Sequence, residues 1–301
     1  MKANFDCVSC LVRQATEALE LSVEDPRRKS RLLRWMLRNM VDGNWEVSPP
    51  LLAGRLHRKI REEAGVADPY QVIKERMNER AQEMLPRCRE LIAEGHDSRE
   101  VAARIAVAGN HLDSGSRIRM GGDGIGNLLE FVDEVPLVGD VGVMFREAEE
   151  AERILYLTDN AGEIVFDRLL IEQLPMEKVT VAVRGAPVLN DALLADAEKA
   201  GIDRLVRVIS NGSDMPGTVL EECSAEFREH FEAADLILAK GQGNFETLSE
   251  VAAPLWFLFA VKCDLVAHEA GAEMGDLIVN RSLVWRARNQ DAASERNLAD
   301  A

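Results

Sequence analysis

The first third of the chain places its apolar residues at helical spacing. Leu32, Leu33, Trp35, Met36, Leu37 and Met40 lie on the i, i+3, i+4 rows of one helix, and similar patterns run from Val8 to about Asn110. Asp25-Pro26, Asp42-Gly43, Ser48-Pro49-Pro50, Ala64-Gly65, Asp68-Pro69 and Glu94-Gly95-His96-Asp97 punctuate them, as residues that cap or break helices do. About five helices are expected. One spans Pro69 to Ile92, where Pro86 should bend or end it, because proline lacks the N–H that the preceding turn needs. Another starts at Asp97, with Glu100 at capping-box spacing. Few β-branched runs interrupt this region, so it reads as an all-helical lobe.

Beyond Gly126 the pattern changes to short apolar runs, each followed by small or polar residues and then by a helical period. Ile154–Leu157, Val179–Val183, Leu205–Ile209, Leu236–Ala239 and Trp256–Phe259 read as buried strands. Glu163 to Leu174, Val188 to Ala200, Gly217 to Ala234 and Phe245 to Val251 read as the crossover helices between them. The grammar is that of a doubly wound α/β sandwich on a parallel sheet. The lobe is expected over residues 1–113 and the α/β domain over 114–301, with a frayed tail from Ala292 to Ala301.

Charge separates the same two regions. Residues 1–100 carry 18 Lys and Arg against 17 Asp and Glu, whereas the remainder carries 18 against 35. A formal net charge of −16 argues against a nucleic-acid partner, since gripping a phosphate backbone needs the opposite sign. The start lacks the basic-then-apolar pattern of a signal peptide, and Pro254 and Lys262 interrupt the longest apolar run, so no membrane role is expected. Five cysteines read as reduced thiols, which makes the cytoplasm the default location.

In an open parallel sheet, ligands bind beyond the carboxyl ends of the strands. Those segments read Thr158-Asp159-Asn160-Ala161-Gly162-Glu163, Arg184-Gly185-Ala186-Pro187-Val188-Leu189-Asn190-Asp191, Ser210-Asn211-Gly212-Ser213-Asp214 and Lys240-Gly241-Gln242-Gly243-Asn244. They offer hard oxygen donors without His or Cys, which suits magnesium or manganese better than zinc. Asp159, Asn160 and Asp191 are the natural ligands, and Lys240 could neutralise charge developing on a phosphoryl group. The chemistry suggested is phosphoryl transfer to water.

Each residue also has a plainer reading. Asn160 and Glu163 stand at capping-box spacing, Asp191 could be an ordinary first-turn acid, and Lys240 could face solvent at a strand end. Asp159 differs, because a carboxylate ending an apolar strand is costly to bury without a cation. Rival motifs are absent or incomplete. The residue two beyond Asp159 is Ala161, which removes the Asp-x-Asp of an aspartate-nucleophile phosphatase, and no Gly-Lys-Ser/Thr loop occurs. Gly122-Asp123-Gly124-Ile125-Gly126 has a methyltransferase-like spacing but reads better as a turn. Cys7-Val8-Ser9-Cys10 is a single CxxC, too few ligands for a closed zinc site, while Cys223 and Cys263 read as core. His111 is the one histidine in a suggestive loop, and it reads as structural.

The ordered set resembles the damage-control phosphatases, long called domain of unknown function eighty-nine. It comprises Cys7-x-x-Cys10, Asp68-Pro69-Tyr70 with Lys74 and Asn78, Ala108-Gly109-Asn110-His111-Leu112-Asp113, Asp159-Asn160-Ala161-Gly162-Glu163, Arg184-Gly185 with Pro187, Asn190-Asp191, and Lys240-Gly241-Gln242-Gly243-Asn244. The resemblance implies a helical lobe on a Rossmann-like three-layer α/β/α sandwich, and a metal in the cleft that is manganese, cobalt, nickel or magnesium. It implies hydrolysis of small phosphometabolites, such as sugar phosphates or damaged or surplus cofactor-precursor phosphates. By the resemblance Asp159, Asn160 and Asp191 are metal ligands and Lys240 binds phosphate. Asn110 and Asp113 enter the cleft, Glu163 holds the outer shell or the attacking water, and Arg184 and Asn211 meet the substrate. Backbone amides at Gly241 and Gly243 would add hydrogen bonds to phosphate. The expected reaction is in-line attack by water, with an attacking Asp159 carboxylate as the other route. Two alternatives stand beside it: a non-catalytic metal-dependent phosphometabolite-binding protein, and a carboxyl methyltransferase, an activity also described for one branch of that family.

Overall fold

The computed structural model describes residues 1–109, 135–285 and 287. Five helices come first: α1 (Cys7–Ser22), α2 (Pro26–Asp42), α3 (Pro49–Ala64), α4 (Gln71–Glu94) and α5 (Ser98–Ala108). Their starts follow the expected punctuation. Asp25 accepts from the Arg27 amide with Pro26 in the first turn of α2, and Asp97 accepts from the Arg99 and Glu100 amides at the start of α5. Gly65 closes α3 with φ +69°, a conformation that costs a residue with a Cβ. Pro86 neither ends nor replaces α4, which continues to Glu94. Packing of α4 on neighbouring helices on both sides of Pro86 outweighs the one hydrogen bond that the proline forfeits.

The α/β part runs β1 (Leu137–Gly139), α6 (Val141–Glu150), β2 (Ile154–Leu157), α7 (Glu163–Ile171), β3 (Val179–Val183), α8 (Leu194–Ala200), β4 (Arg207–Ser210), α9 (Ala225–Ala233), β5 (Leu236–Lys240), α10 (Gln242–Leu248), β6 (Leu255–Ala260), α11 (Asp264–Ala270) and β7 (Leu277–Arg281). Among the described residues, seven strands lie in the order β1-β7-β6-β5-β2-β3-β4. All neighbours are parallel except β6 and β7, so the expectation of a wholly parallel sheet holds for β4-β3-β2-β5-β6 and fails at one edge. β1 has only three residues, too few to announce themselves as an apolar run.

Two helical patterns start later than their sequences suggest. α8 begins at Leu194 rather than Val188, because the preceding backbone is used elsewhere: Asn190 O accepts from Ala161 N at 2.8 Å, and Ala192 N donates to Asp159 O at 2.8 Å. α9 begins at Ala225, where Ser224 caps it by accepting from Phe227 N.

Alternate residues of each strand face opposite sides. Tyr156, Val181, Leu238, Trp256 and Leu258 join one core cluster with α4 to α8, whereas Leu157, Ala182, Ile237, Phe257 and Phe259 join another with α9 to α11. These are the two seams of a three-layer α/β/α sandwich. Each fully buried large side chain contributes about 1.5–3 kcal/mol. α1 to α3 build a third core around Leu11, Leu19, Leu32, Met36, Leu56 and Ile60. The expected boundary at residue 113 lies outside the described residues. Among the described residues, no helix is long and apolar enough to cross a membrane.

Candidate active site

The chain goes from β2 outward through β3 to β4 and then returns to β5 on the other side of β2, so a topological switch point lies between β2 and β5. The segments after those two strands meet there. Gly241 adopts φ +82°, and a Cβ on it would overlap the Asp159 carboxylate, so the glycine is what allows Asp159 to sit at the mouth of β5. The loop after β3 folds onto the same place, with Asn160 and Asp191 paired as an isolated bridge. Gly162, at φ +77°, starts α7 close against Met77 of α4, and its amide donates to Asn78 Oδ1 at 2.7 Å.

The side chains form one buried network. Asn160 Nδ2 donates to Asp159 Oδ2 at 2.8 Å and to Glu163 Oε2 at 3.1 Å, so its side chain faces two carboxylates instead of capping α7. Lys240, with no exposure, donates to Glu163 Oε1 at 2.7 Å, Asp167 Oδ1 at 2.6 Å and the Ala106 carbonyl at 2.9 Å. Each of its three ammonium hydrogens therefore has a protein acceptor, one of them at the carboxyl end of α5, where the helix dipole favours a cation. Tyr156 donates to the same Asp167 oxygen at 2.9 Å. Arg184 Nε donates to Asp191 Oδ2 at 2.7 Å.

Among the described residues, four buried carboxylates, on Asp159, Glu163, Asp167 and Asp191, thus face two buried cations, on Lys240 and Arg184, with the half-buried Lys262 also acting on Asp159. The surplus shows in the proton affinities. Burial, and then Glu163 and Asp191, push Asp159 well above the usual carboxylate range. Burial also raises Asp167 to about 6, against the pull of Lys240. Burial opposes the charge on Lys240, but Asp167 and Glu163 outweigh it and hold the ammonium above the ordinary lysine range. Among the described residues no three His, Cys, Asp or Glu side chains form a metal cluster. The donor set on offer is two carboxylates and the Asn160 amide oxygen, a hard set among buried carboxylates that outnumber the buried cations of the described residues. That chemistry fits a divalent cation of the magnesium or manganese kind.

Of the residues expected to touch substrate, Arg184 and Asn211 are almost fully buried beside this network. Asn211 Oδ1 accepts from Gly185 N at 3.0 Å and Ser213 N at 2.9 Å, while its buried Nδ2 has no hydrogen-bond partner among the described residues. Gly241 gives the site room by lacking a Cβ, but its amide, expected to meet phosphate, instead donates to Leu258 O of the neighbouring strand at 2.9 Å. Gly243 packs against Gly217. Asn110, Asp113, His111 and the Gly122–Gly126 segment lie outside the described residues.

Several residues in the network were given no role of their own from sequence, although Asn78 and Asn244 stand in the motifs quoted above. Asp167 had a signal, since it stands four residues after Glu163 on the same face of α7. Tyr156 reads as an ordinary apolar strand residue until its hydroxyl is placed. Asn78 binds the Gly162 amide and Asp196 Oδ1 at 2.7 Å, and thereby pins α4 to the loop after β2 and to α8. Asn244 donates to the carbonyls of Thr158 at 3.2 Å and Lys240 at 2.7 Å, which ties the ends of β2 and β5 together.

A doubly wound α/β/α sandwich with buried carboxylates and amides gathered at its switch point belongs to the class of open-sheet proteins that bind ligands beyond the carboxyl ends of their strands. A family model described as the damage-control phosphatase ARMT1-like domain matches residues 3–278. The chain belongs to this family. It is 34% identical to a damage-control phosphatase of Archaeoglobus fulgidus over 92% of this chain and 98% of the relative. It is 32% identical to damage-control phosphatase PH1575 of Pyrococcus horikoshii, over 94% and 99%. The crystal structure of PH1575, a DUF89 family protein, superposes with a TM-score of 0.83 at 31% identity, covering 94% of this chain and 99% of that one.

Proposed function

We propose that this protein is a metal-dependent phosphomonoester hydrolase acting on small phosphometabolites, either sugar phosphates or damaged or surplus cofactor-precursor phosphates. The observation that carries the reading is the convergence of Asp159, Asn160 and Asp191 at the switch point, where neighbouring carboxylates and burial hold Asp159 well above its usual range. Asp159, Asn160 and Asp191 hold the cation, which is manganese, cobalt, nickel or magnesium. When bound, it supplies electrophilic charge against the phosphoryl oxygens.

The chain's own residues do the rest. Arg184 holds Asp191 in register and brings positive charge to the loop after β3. Asn211, fixed through its Oδ1 by two amides, presents Nδ2 as a ready donor to a phosphate oxygen. Lys240 acts from behind by keeping Glu163 and Asp167 in place, and Glu163 in turn orients Asn160. Attack is by water, in line with the departing alkoxide, and it yields an alcohol and inorganic phosphate.

The test is phosphate release from a panel of sugar and cofactor-precursor phosphates with each of the four metals, comparing wild type with Asp159→Ala. Metal-dependent release should fall by about a thousandfold or more in the variant. Wild-type protein that binds the metal through Asp159 and releases nothing from any substrate would instead leave a binding protein.

A further inference from the structure

The CxxC has no part in the pocket described above, yet it does not stand alone. Cys7 and Cys10 occupy the first turns of α1, and the amino-terminal segment before them is seated on α10, where the Met1 ammonium donates to Glu246 O at 3.1 Å. From α10, Gln242 Nε2 reaches Glu246 Oε1 at 2.8 Å and Cys263 Sγ at 3.7 Å. Its Oε1 accepts from Lys262 N at 3.0 Å. Burial pushes the Cys7 and Cys263 thiols up, and Glu246 and Cys10 add to this at both, which places three of the five thiols and one carboxylate in one locality. The other two thiols, Cys88 and Cys223, are buried in the two cores of the sandwich.

This locality is next to the active site. Gln242 follows Gly241, the residue that makes room for Asp159, and Lys262, whose amide Gln242 holds, acts on Asp159 by its charge. Sulfurs at positions i and i+3 in the first turns of a helix are near enough for a disulfide, whose Cα atoms need only lie about 4.4–6.8 Å apart. The Arg13 guanidinium donates to Cys10 Sγ at 3.8 Å and brings positive charge to that sulfur.

We propose that Cys7 and Cys10 form a thiol–disulfide exchange site for low-molecular-weight disulfides, and that its state reaches Asp159 through Cys263, Gln242 and Lys262. Cys10 attacks one sulfur of the incoming disulfide as thiolate and releases one thiol. Cys7 then attacks the mixed disulfide and releases the second thiol, so the protein loses two electrons and two protons while the small disulfide gains them. Such chemistry suits a thiol-reducing compartment, where disulfides are transient and signalling. The second half of the proposal rests on the phosphatase reading; the first half does not.

The full-length protein is equilibrated with reduced and oxidised glutathione at several ratios, alkylated, and mapped by mass spectrometry without reduction. Expected is a single reversible intramolecular disulfide in the Cys7–Cys10 peptide, absent in Cys10→Ala and in Cys7→Ala and retained in Cys263→Ala. Phosphate release by wild type should fall about threefold or more on oxidation, and this response should vanish in Cys263→Ala. Five alkylated cysteines at every ratio, or a disulfide mapped elsewhere, would overturn the exchange site. So would a zinc ion at one per chain that protects Cys7 and Cys10. A mapped Cys7–Cys10 disulfide with unchanged turnover would overturn the coupling alone, and a protein with no turnover under any condition is still tested by the mapping.

Discussion

Two ion networks of similar make-up do different work in this molecule. Lys240 binds Glu163 and Asp167 with side-chain exposures of 0–1%, whereas Arg58 binds Asp214 and Glu222, with Arg61 also on Asp214, at exposures of 13–40%. The inner network lies between β5 and α7, under the pocket. The outer one clasps α3 to the loop after β4, the loop that carries Asn211. Taking three charges fully out of water costs more than their attraction returns unless every hydrogen bond is made, so stability is a poor reason for the inner network to exist. It fixes where Glu163, and through it Asn160, must stand. The outer network keeps much of its hydration and serves to hold two parts of the fold together.

Removing the inner cation separates these roles most sharply. Lys240→Met leaves two buried carboxylates facing each other and should cost about 3–5 kcal/mol by denaturant unfolding, with turnover lost. Adding Glu163→Gln and Asp167→Asn should restore most of that stability, because no charge is then left unpaired, while turnover stays lost. A single Lys240→Met protein as stable as wild type would show that the inner network is not the desolvated cluster its burial implies.

Acid distinguishes the two networks next. Asp167 is raised to about 6 by burial, above its unfolded value of 3.8. A raised carboxylate contributes stability that is complete below the unfolded value and is lost as pH rises through the folded one, so acidification through 6 does not weaken the fold through this group. It does remove a negative charge from beside Lys240. Asp214 goes the other way: partial burial disfavours its charge, but Arg58 and Arg61 outweigh that and hold it below the usual range. Its contribution is present above 3.8 and disappears only as pH falls below that. Turnover should therefore fall on the acid side with a midpoint near 6, while the stability carried by Asp214, read as the difference in unfolding free energy between wild type and Asp214→Asn, should hold steady down to about pH 4. An Asp214 contribution that fades in step with activity from pH 6 downward would erase the distinction.

How far the sequence discloses each network follows from what holds it. β2 and β3 end where their apolar runs end, since a fully buried strand is a continuous apolar run, and the loops after them announce Asp159, Asn160 and Asp191 by composition. β7 goes unannounced because Leu277-Ile278-Val279 is short and its reversed direction depends on β6, its partner in space. Lys240 is legible as a charged residue at a strand end, but its two carboxylates are not. They lie 77 and 73 residues away, and only the crossover of α7 onto β5 brings them together. The Arg58–Asp214 clasp spans 156 residues and carries no local signal, since both residues look like ordinary surface charges in their own segments.

That clasp gives the smallest effect and the finest test. Arg58→Ala removes the guanidinium from Asp214 and Glu222 but leaves Arg61 on Asp214, so no carboxylate is stranded in a dry site. Its cost should be about 0.5–1 kcal/mol at low salt and should shrink toward zero near 1 M salt, where the screening length falls to about 3 Å. Chemical unfolding with urea, an uncharged denaturant, at two salt concentrations reads this directly. Lys240→Met, measured in the same way, should show almost no salt dependence, because mobile ions do not enter a pocket where the lysine has no exposed surface. Equal salt dependence in the two variants would mean that the inner network is open to solvent ions, and the comparison between the two would fail at its root.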